Sequence, residues 1–218
     1  MVKQDRAART RQSLIRAAAE VFAQEGFAPA SLAAISRRAG VSNGALHFHF
    51  ENKKMLARAV VDEAAESVRR IIEEAVNGGG STLQVLVDTT HELMSSLAGD
   101  IVIQAGFELG GDLAWREEPR LRQRWQRWIE DMLQRADAEG GLAEGVSPAD
   151  ASLAIVAVTV GLEVLGGEDK QWLSTETVTG FWDLVLPRLA SSHRPCRSVP
   201  SPRHGLAPLA TPAAQATD

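Results

Sequence analysis

The chain of 218 residues holds one cysteine, Cys196, no tyrosine, and aromatic residues at only 5% of its length. A lone thiol in a proline-rich stretch, without His or Asp beside it, makes no internal disulfide and no plausible metal or thiol site. Runs of about 18 apolar residues, the length that spans a bilayer, are also missing. The most apolar stretch, Ala151 to Leu165, is shorter and carries Glu163. The first residues, Met-Val-Lys-Gln-Asp-Arg, lead into a basic and polar segment instead of the apolar core of a secretion signal. A cytoplasmic protein that does not engage membranes is expected. Nucleophile elbow, phosphate loop, paired-carboxylate pattern and Cys/His cluster are all lacking, so no catalytic residue, metal ligand or cofactor is expected and an enzyme is disfavoured.

What is present is a split of charge. Residues 1–60 carry ten Lys or Arg against four acids, hence +6, while the remainder carries 13 basic and 24 acidic residues, hence −11, within a formal net charge of −5. A basic head on an acidic body points to a polyanion met by the head alone, although a solvated basic surface gives the same count.

Turn signals divide the chain into helix-length pieces with no strand alternation, so an all-α fold is predicted. Arg9 to Gln24 sets Leu14, Ala18, Val21 and Phe22 on one stripe and stops at Gly26. Ser31 is a cap for a short helix, Leu32 to Ala39, ended by Gly40; Ser42 is a cap for another through about His49. Asn52 starts a long helix to about Val76, and Ser81 one to about Leu97. Further helices are predicted over Ile101 to Leu109, Pro119 to Glu139, Ser147-Pro148 to Leu165, and Thr175 to Leu189, where Pro187 argues for a frayed or kinked last turn. Residues 1–55 read as the head and 56–191 as the body. Residues 192–218, with five prolines among small polar residues, read as a disordered tail.

Two short helices about a glycine turn form a helix-turn-helix, whose second helix enters the major groove of double-stranded DNA. Ile35, Ala39, Val41, Leu46 and Phe50 are predicted to fix the crossing. The candidate DNA contacts are Ser31, Ser42, Asn43, Gly44, Ala45, His47, Phe48 and Lys53. Gly44 and Ala45 let the backbone approach the groove, Asn43 has the amide that suits adenine, and Lys53 and Lys54 open the next helix where its NH groups favour phosphate. His47 and His49, two apart on a helix, point roughly 200° apart and do not chelate one ion.

The stretch Ile35-Ser-Arg-Arg-Ala-Gly-Val-Ser-Asn-Gly-Ala-Leu-His-Phe-His-Phe-Glu-Asn-Lys-Lys-Met-Leu56 resembles the DNA-binding head of the TetR (tetracycline repressor) family. Lys3 to Arg11 and Gly44 to Phe50 are most similar to its gamma-butyrolactone receptor branch. The resemblance implies an all-α homodimer with a three-helix head, a larger ligand-binding and dimerisation body, a palindromic operator, and repression of antibiotic-related genes relieved by a small molecule. Asn43 and His47 depart from the Lys and Tyr usual in that branch, as in pseudo-receptors that answer to antibiotics or their intermediates.

In the body, Ala151 to Leu165 is apolar nearly all round. Its polar residues, Ser152, Thr159 and Glu163, fall on one stripe that reads as a solvent strip. Together with Trp182, Leu184, Val185 and Leu186 it is predicted to form a dimer interface. Trp125 and Trp128 lie three apart among arginines, and Trp125 falls where the resembled branch has a pocket tryptophan. Phe107 and Val102 are the other ligand-site candidates, and Glu108 and Glu163 are either pocket acids or solvated. The competing reading is a helical adaptor that recruits protein partners through its apolar body.

Overall fold

Six α-helices begin where the sequence supplies an oxygen for an unpaired backbone N–H. Ser31, Ser42, Asn52, Ser81, Ser147 and Ser174 accept from the backbone N–H of Ala34, Ala45, Met55, Gln84, Asp150 and Thr177 respectively. In a computed structural model describing residues 2–111, 121–192 and 196–201, the helices are α1 Val2–Glu25, α2 Leu32–Arg38, α3 Asn43–His49, α4 Lys53–Asn77, α5 Thr82–Gly99, α6 Ile101–Gly111, α7 Leu121–Ala138, α8 Pro148–Glu168 and α9 Thr175–Leu189. The expected all-α architecture is therefore present. The first helix begins seven residues earlier than its apolar stripe predicts, because nothing between Val2 and Arg9 breaks a helix. Pro119 lies outside the described residues. A 3-10 turn, Lys170–Leu173, separates α8 from α9, and α9 runs through Pro187 to Leu189 and is closed by the Ala190 N–H on Leu186.

The α2–α3 turn needs Gly40, whose φ of +67° is strained for any side chain. Leu14, Ile15, Ile35, Leu46 and Leu56 of α1 to α4 are fully buried and belong to one core that continues into the body. Of the five predicted crossing residues, Ile35, Leu46 and Phe50 are buried, while Ala39 and Val41 are half-buried. The body is coupled to the head chiefly by α6, which packs on both α1 and α4. At Gly106 the approach is so close that an added Cβ would lie 2.5 Å from Ala64 Cβ.

Helix α8 corrects two expectations. Folded, it is 21 residues of helix, long and apolar enough by length and composition to cross a bilayer, so counting only Ala151 to Leu165 understated it. Its polar stripe is the inward face: Ser152, Thr159 and Glu163 are buried, whereas Leu153 is 72% exposed and Val164 and Leu165 are exposed too. A helix apolar all round has no hydrophobic period to orient it, and the hydrogen-bonding demands of α7 decide the matter. The predicted interface residues on α9 divide likewise. Leu184 is 79% exposed, but Trp182 and Leu186 are buried within the chain's own core.

Candidate nucleic-acid interface and ligand cleft

The two serine caps of the helix-turn-helix hold backbone N–H groups and keep their own O–H protons to donate. Ser31 and Ser42 are both exposed and accept at 3.1 Å. Beside Ser42, the buried Ser36 hydroxyl donates to Asn43 Oδ1 at 2.6 Å, tying the start of α3 to α2. That bond orients the Asn43 amide, whose NH2 donors and the second lone pair of Oδ1 remain for phosphate or a base edge.

Gly44, His47 and Phe48 complete the outer face of α3, with Ala45 half-buried behind them. Phe48 is 82% exposed, more than any other large apolar side chain described, with its ring edge-on to His49. At Gly44 an added Cβ would meet nothing nearer than Ser42 Oγ at 3.9 Å. Packing inside the chain therefore does not demand glycine there.

Lys53 departs from expectation. Its ammonium donates to the carbonyls of Phe27, Ala28 and Ala30 at 2.7, 2.9 and 2.8 Å and sits 4.7 Å from the Phe27 ring centroid. Three protons on three carbonyls leave none for phosphate, so Lys53 pins the α1–α2 connection to the start of α4. The carbonyls that follow a helix end need donors, and a lysine 23 to 26 residues further on, at the start of α4, reaches them only in the folded head. The neighbouring Lys54 is exposed. With Arg11, His49, Asn52 and Arg58 it lines a hollow of about 480 Å³ between α1, α3 and α4. Arg11 lies 5.3 Å over the Phe50 ring, and Arg58 is paired with Asp62 at 3.0 Å. Motif reading passed over this hollow because its walls come from three separate helices.

In the body, α7 and α8 are joined by a polar ladder. Arg122 places two nitrogens on the Glu163 carboxylate at 2.7 and 3.0 Å, and Trp125 Nε1 donates to Thr159 Oγ1 at 3.0 Å. Both rungs use the inward stripe of α8, which is why those residues are polar. Trp125 is 3% exposed and stacks on Trp128 with centroids 4.9 Å apart. The pair lines a cleft of about 190 Å³ between α7 and the Ala65, Val68 and Ile72 face of α4. Phe107 and Val102 do not line it; both are buried core residues of α6.

A second cleft, of about 430 Å³, opens between α6, α8 and the 3-10 turn. Glu108 and Glu163 both line it, so neither is simply solvated. Burial raises the Glu108 carboxyl above its ordinary value, a shift that its hydrogen bond from Gln104 opposes. Lys170 in turn donates to the Gln104 carbonyl oxygen at 3.2 Å.

Residues 14–60 match the family model of bacterial regulatory proteins, tetR family. The chain is 31% identical over 194 residues to the A-factor receptor protein of Streptomyces griseus, an alignment covering 87% of this chain and 67% of that one. A solved gamma-butyrolactone receptor, an ArpA-like protein, superposes with a TM-score of 0.75 at 25% identity, over 89% of this chain and 94% of the receptor. The tetR-family protein CprB from Streptomyces coelicolor, solved in complex with its biological operator sequence, superposes with a TM-score of 0.72 at 25% identity, over 86% of this chain and 92% of that one.

Proposed function

Because the chain belongs to the tetR family of bacterial regulatory proteins and is gamma-butyrolactone receptor-like, we propose that it is a cytoplasmic, homodimeric repressor of antibiotic or secondary-metabolite genes, released from a palindromic operator by a small molecule. It acts by binding and catalyses nothing. The observation that carries the reading is the outer face of α3, where an 82% exposed phenylalanine and a glycine without an internal packing reason stand side by side. An aromatic left in water and a backbone left bare both make sense against a groove wall, Phe48 against a thymine methyl and Gly44 against the sugar-phosphate edge. Ser31, Ser42, Asn43 and His47 supply donors around them. Lys54 and Arg11, in place of Lys53, supply the phosphate contacts.

Dimerisation uses the outward faces of α8 and α9, where Leu153, Leu165 and Leu184 are exposed among the described residues. An exposed apolar face of this kind marks an interface. The effector enters beside Trp125 and Trp128. Their cleft of about 190 Å³ is smaller than the 300–1,000 Å³, approximately, of most small-molecule sites, so occupancy must part α7 from α4. Since α4 begins at the head, that parting alters the spacing of the two heads, and a dimer with altered spacing no longer fits two adjacent major grooves.

A gel-shift titration on a pseudo-palindromic operator tests this, repeated with a gamma-butyrolactone and with an aromatic polyketide antibiotic. Sequence-specific retardation that weakens steeply with salt is expected. Release by the butyrolactone identifies a signalling receptor, release by the antibiotic alone a product sensor, and failure to shift any palindrome rejects the repressor reading.

A further inference from the structure

The chain beyond α9 does not simply leave the body. Ser191 N–H donates to Gly141 O at 2.9 Å, and Leu142 and Ala190 form an antiparallel bridge, which fixes where the tail starts. Residues 196–201, expected from composition to be disordered, then lie along α5. Three α5 side chains, Gln84, Asp88 and His91, are spaced four and three apart and so form one stripe. Each of them holds the tail by its backbone. Arg197 N–H donates to Gln84 Oε1 at 2.9 Å, Ser201 N–H donates to Asp88 Oδ1 at 2.9 Å, and His91 Nε2 meets Ser198 O at 2.8 Å. Gln84 Nε2 also donates to Asp88 Oδ1 at 2.8 Å, so the stripe is braced within itself.

Composition missed this because it counts apolar area, and the attachment is polar. The tail contributes peptide groups, for which any residue serves except proline in a donor position. The sequence respects that exception: Pro200 stands between the accepting Val199 and the donating Ser201, where it stiffens the segment and forfeits no bond. His91 is buried, and a buried imidazole needs the carbonyl partner that Ser198 provides. Cys196, whose thiol burial pushes up to about 11, packs neutral against the same region.

Helix α5 is the hub of the body, touching α4, α6, α7, α8 and α9. We propose that residues 196–201 are a strap, docked on the Gln84–Asp88–His91 ridge of α5, that ties this hub to the end of α9 and restrains the parting of α7 from α4. The restraint rests on the effector-driven opening proposed above; the docking itself does not. With the strap held, the body stays closed, and with it detached the tryptophan cleft opens more readily.

Two substitutions in the tail test it without touching α5. Ser201→Pro deletes the N–H that Asp88 accepts, and Ser201→Ala keeps it. Hydrogen exchange on the full-length chain should show the Arg197 and Ser201 amides protected, with Arg197 and the 82–93 segment exchanging roughly threefold to tenfold faster in Ser201→Pro and unchanged in Ser201→Ala. A chain ending at Ser192 should go further and bind more of the dye 8-anilinonaphthalene-1-sulfonate, a probe of the opened cleft that needs no knowledge of the effector. Unprotected amides at Arg197 and Ser201 in the parent chain overturn the docking; protected amides with unchanged dye binding on truncation overturn the restraint. Operator gel shifts on the same proteins keep the two readings apart. Intact operator binding beside unprotected tail amides rejects the strap alone, and absent operator binding beside protected amides rejects the repressor alone.

Discussion

The recognition pair of the head, α2 and α3, and helix α8 of the body put most of their polarity on opposite sides. In the head, α2 and α3 bury Ile35 and Leu46 and turn serines, an amide and histidine outward, as a water-facing helix does. In the body, α8 buries Ser152, Thr159 and Glu163 and turns Leu153, Val164 and Leu165 outward. Such an inversion is stable only where something apolar covers the outside and something polar waits inside. Arg122 and Trp125 are the inside partners. The outside partner we assign is the second copy. Phe48, the most exposed of the head's two exposed large apolar side chains, the other being Met55, is small enough to be a contact of the DNA groove and not an interface.

The strongest way to break this contrast is to make the outer face of the body polar. Leu153→Glu combined with Leu184→Glu should give a helical monomer by light scattering and lower operator affinity by at least about a hundredfold, because two linked heads gain from each other's binding. A dimer that survives both charges places the interface elsewhere.

Next in size is the buried cation of the head. Lys53→Met strips three carbonyls of their donor and should destabilise the head by about 1–3 kcal/mol, lowering the thermal midpoint even without DNA. Lys54→Ala should leave the midpoint alone while weakening operator binding and reducing its salt dependence. Equal melting of the two variants would mean that the carbonyl contacts of Lys53 carry no stability.

Phe48→Ala sharpens the contrast at the surface. A side chain 82% exposed contributes little to folding, so the melting curve should stay within about 0.5 kcal/mol of the parent. Operator affinity should fall about tenfold, in line with the loss of a base contact. A loss of stability without a loss of affinity would turn Phe48 into a folding residue.

The smallest effect concerns pH. Burial holds the His91 imidazole below its ordinary value of 6.5, outweighing the Ser198 hydrogen bond and the Asp88 charge that oppose it. The unfolded chain therefore takes up that proton first as pH falls. Stability from this group is complete above the ordinary value and declines as pH drops through 6.5 toward the lower native value. Thermal melts from about pH 7.5 to 5.5 should show the decline in the parent and less of it in the chain ending at Ser192, where His91 loses its cover. An identical decline in both assigns the pH dependence to other groups.

How much of this was legible depends on distance along the chain. Ser31, Ser42, Asn52, Ser81 and Ser147 announced their helices correctly because a cap bonds a backbone group three residues away. Gly40 announced the turn for the same local reason. Trp125 was named a pocket residue by resemblance alone, while its partner Thr159, 34 residues on, was read as solvent-facing and is buried. Phe107 and Val102, named on α6 as ligand candidates, are buried core residues that do not line the tryptophan cleft. The tail was judged on apolar content, a measure blind to peptide groups held by Gln84, Asp88 and His91.

The sequence by itself determined the helices, the capped starts of five of them, the helix-turn-helix and the basic head, because each rests on contacts a few residues apart or on a simple sum of charge. Only the tertiary structure decided which face of α8 turns inward, which carbonyls take the Lys53 ammonium and where residues 196–201 lie. Those outcomes depend on partners 23 to 113 residues distant, and an evenly apolar helix, a long flexible lysine or a bare backbone carries no local mark of the partner it will meet.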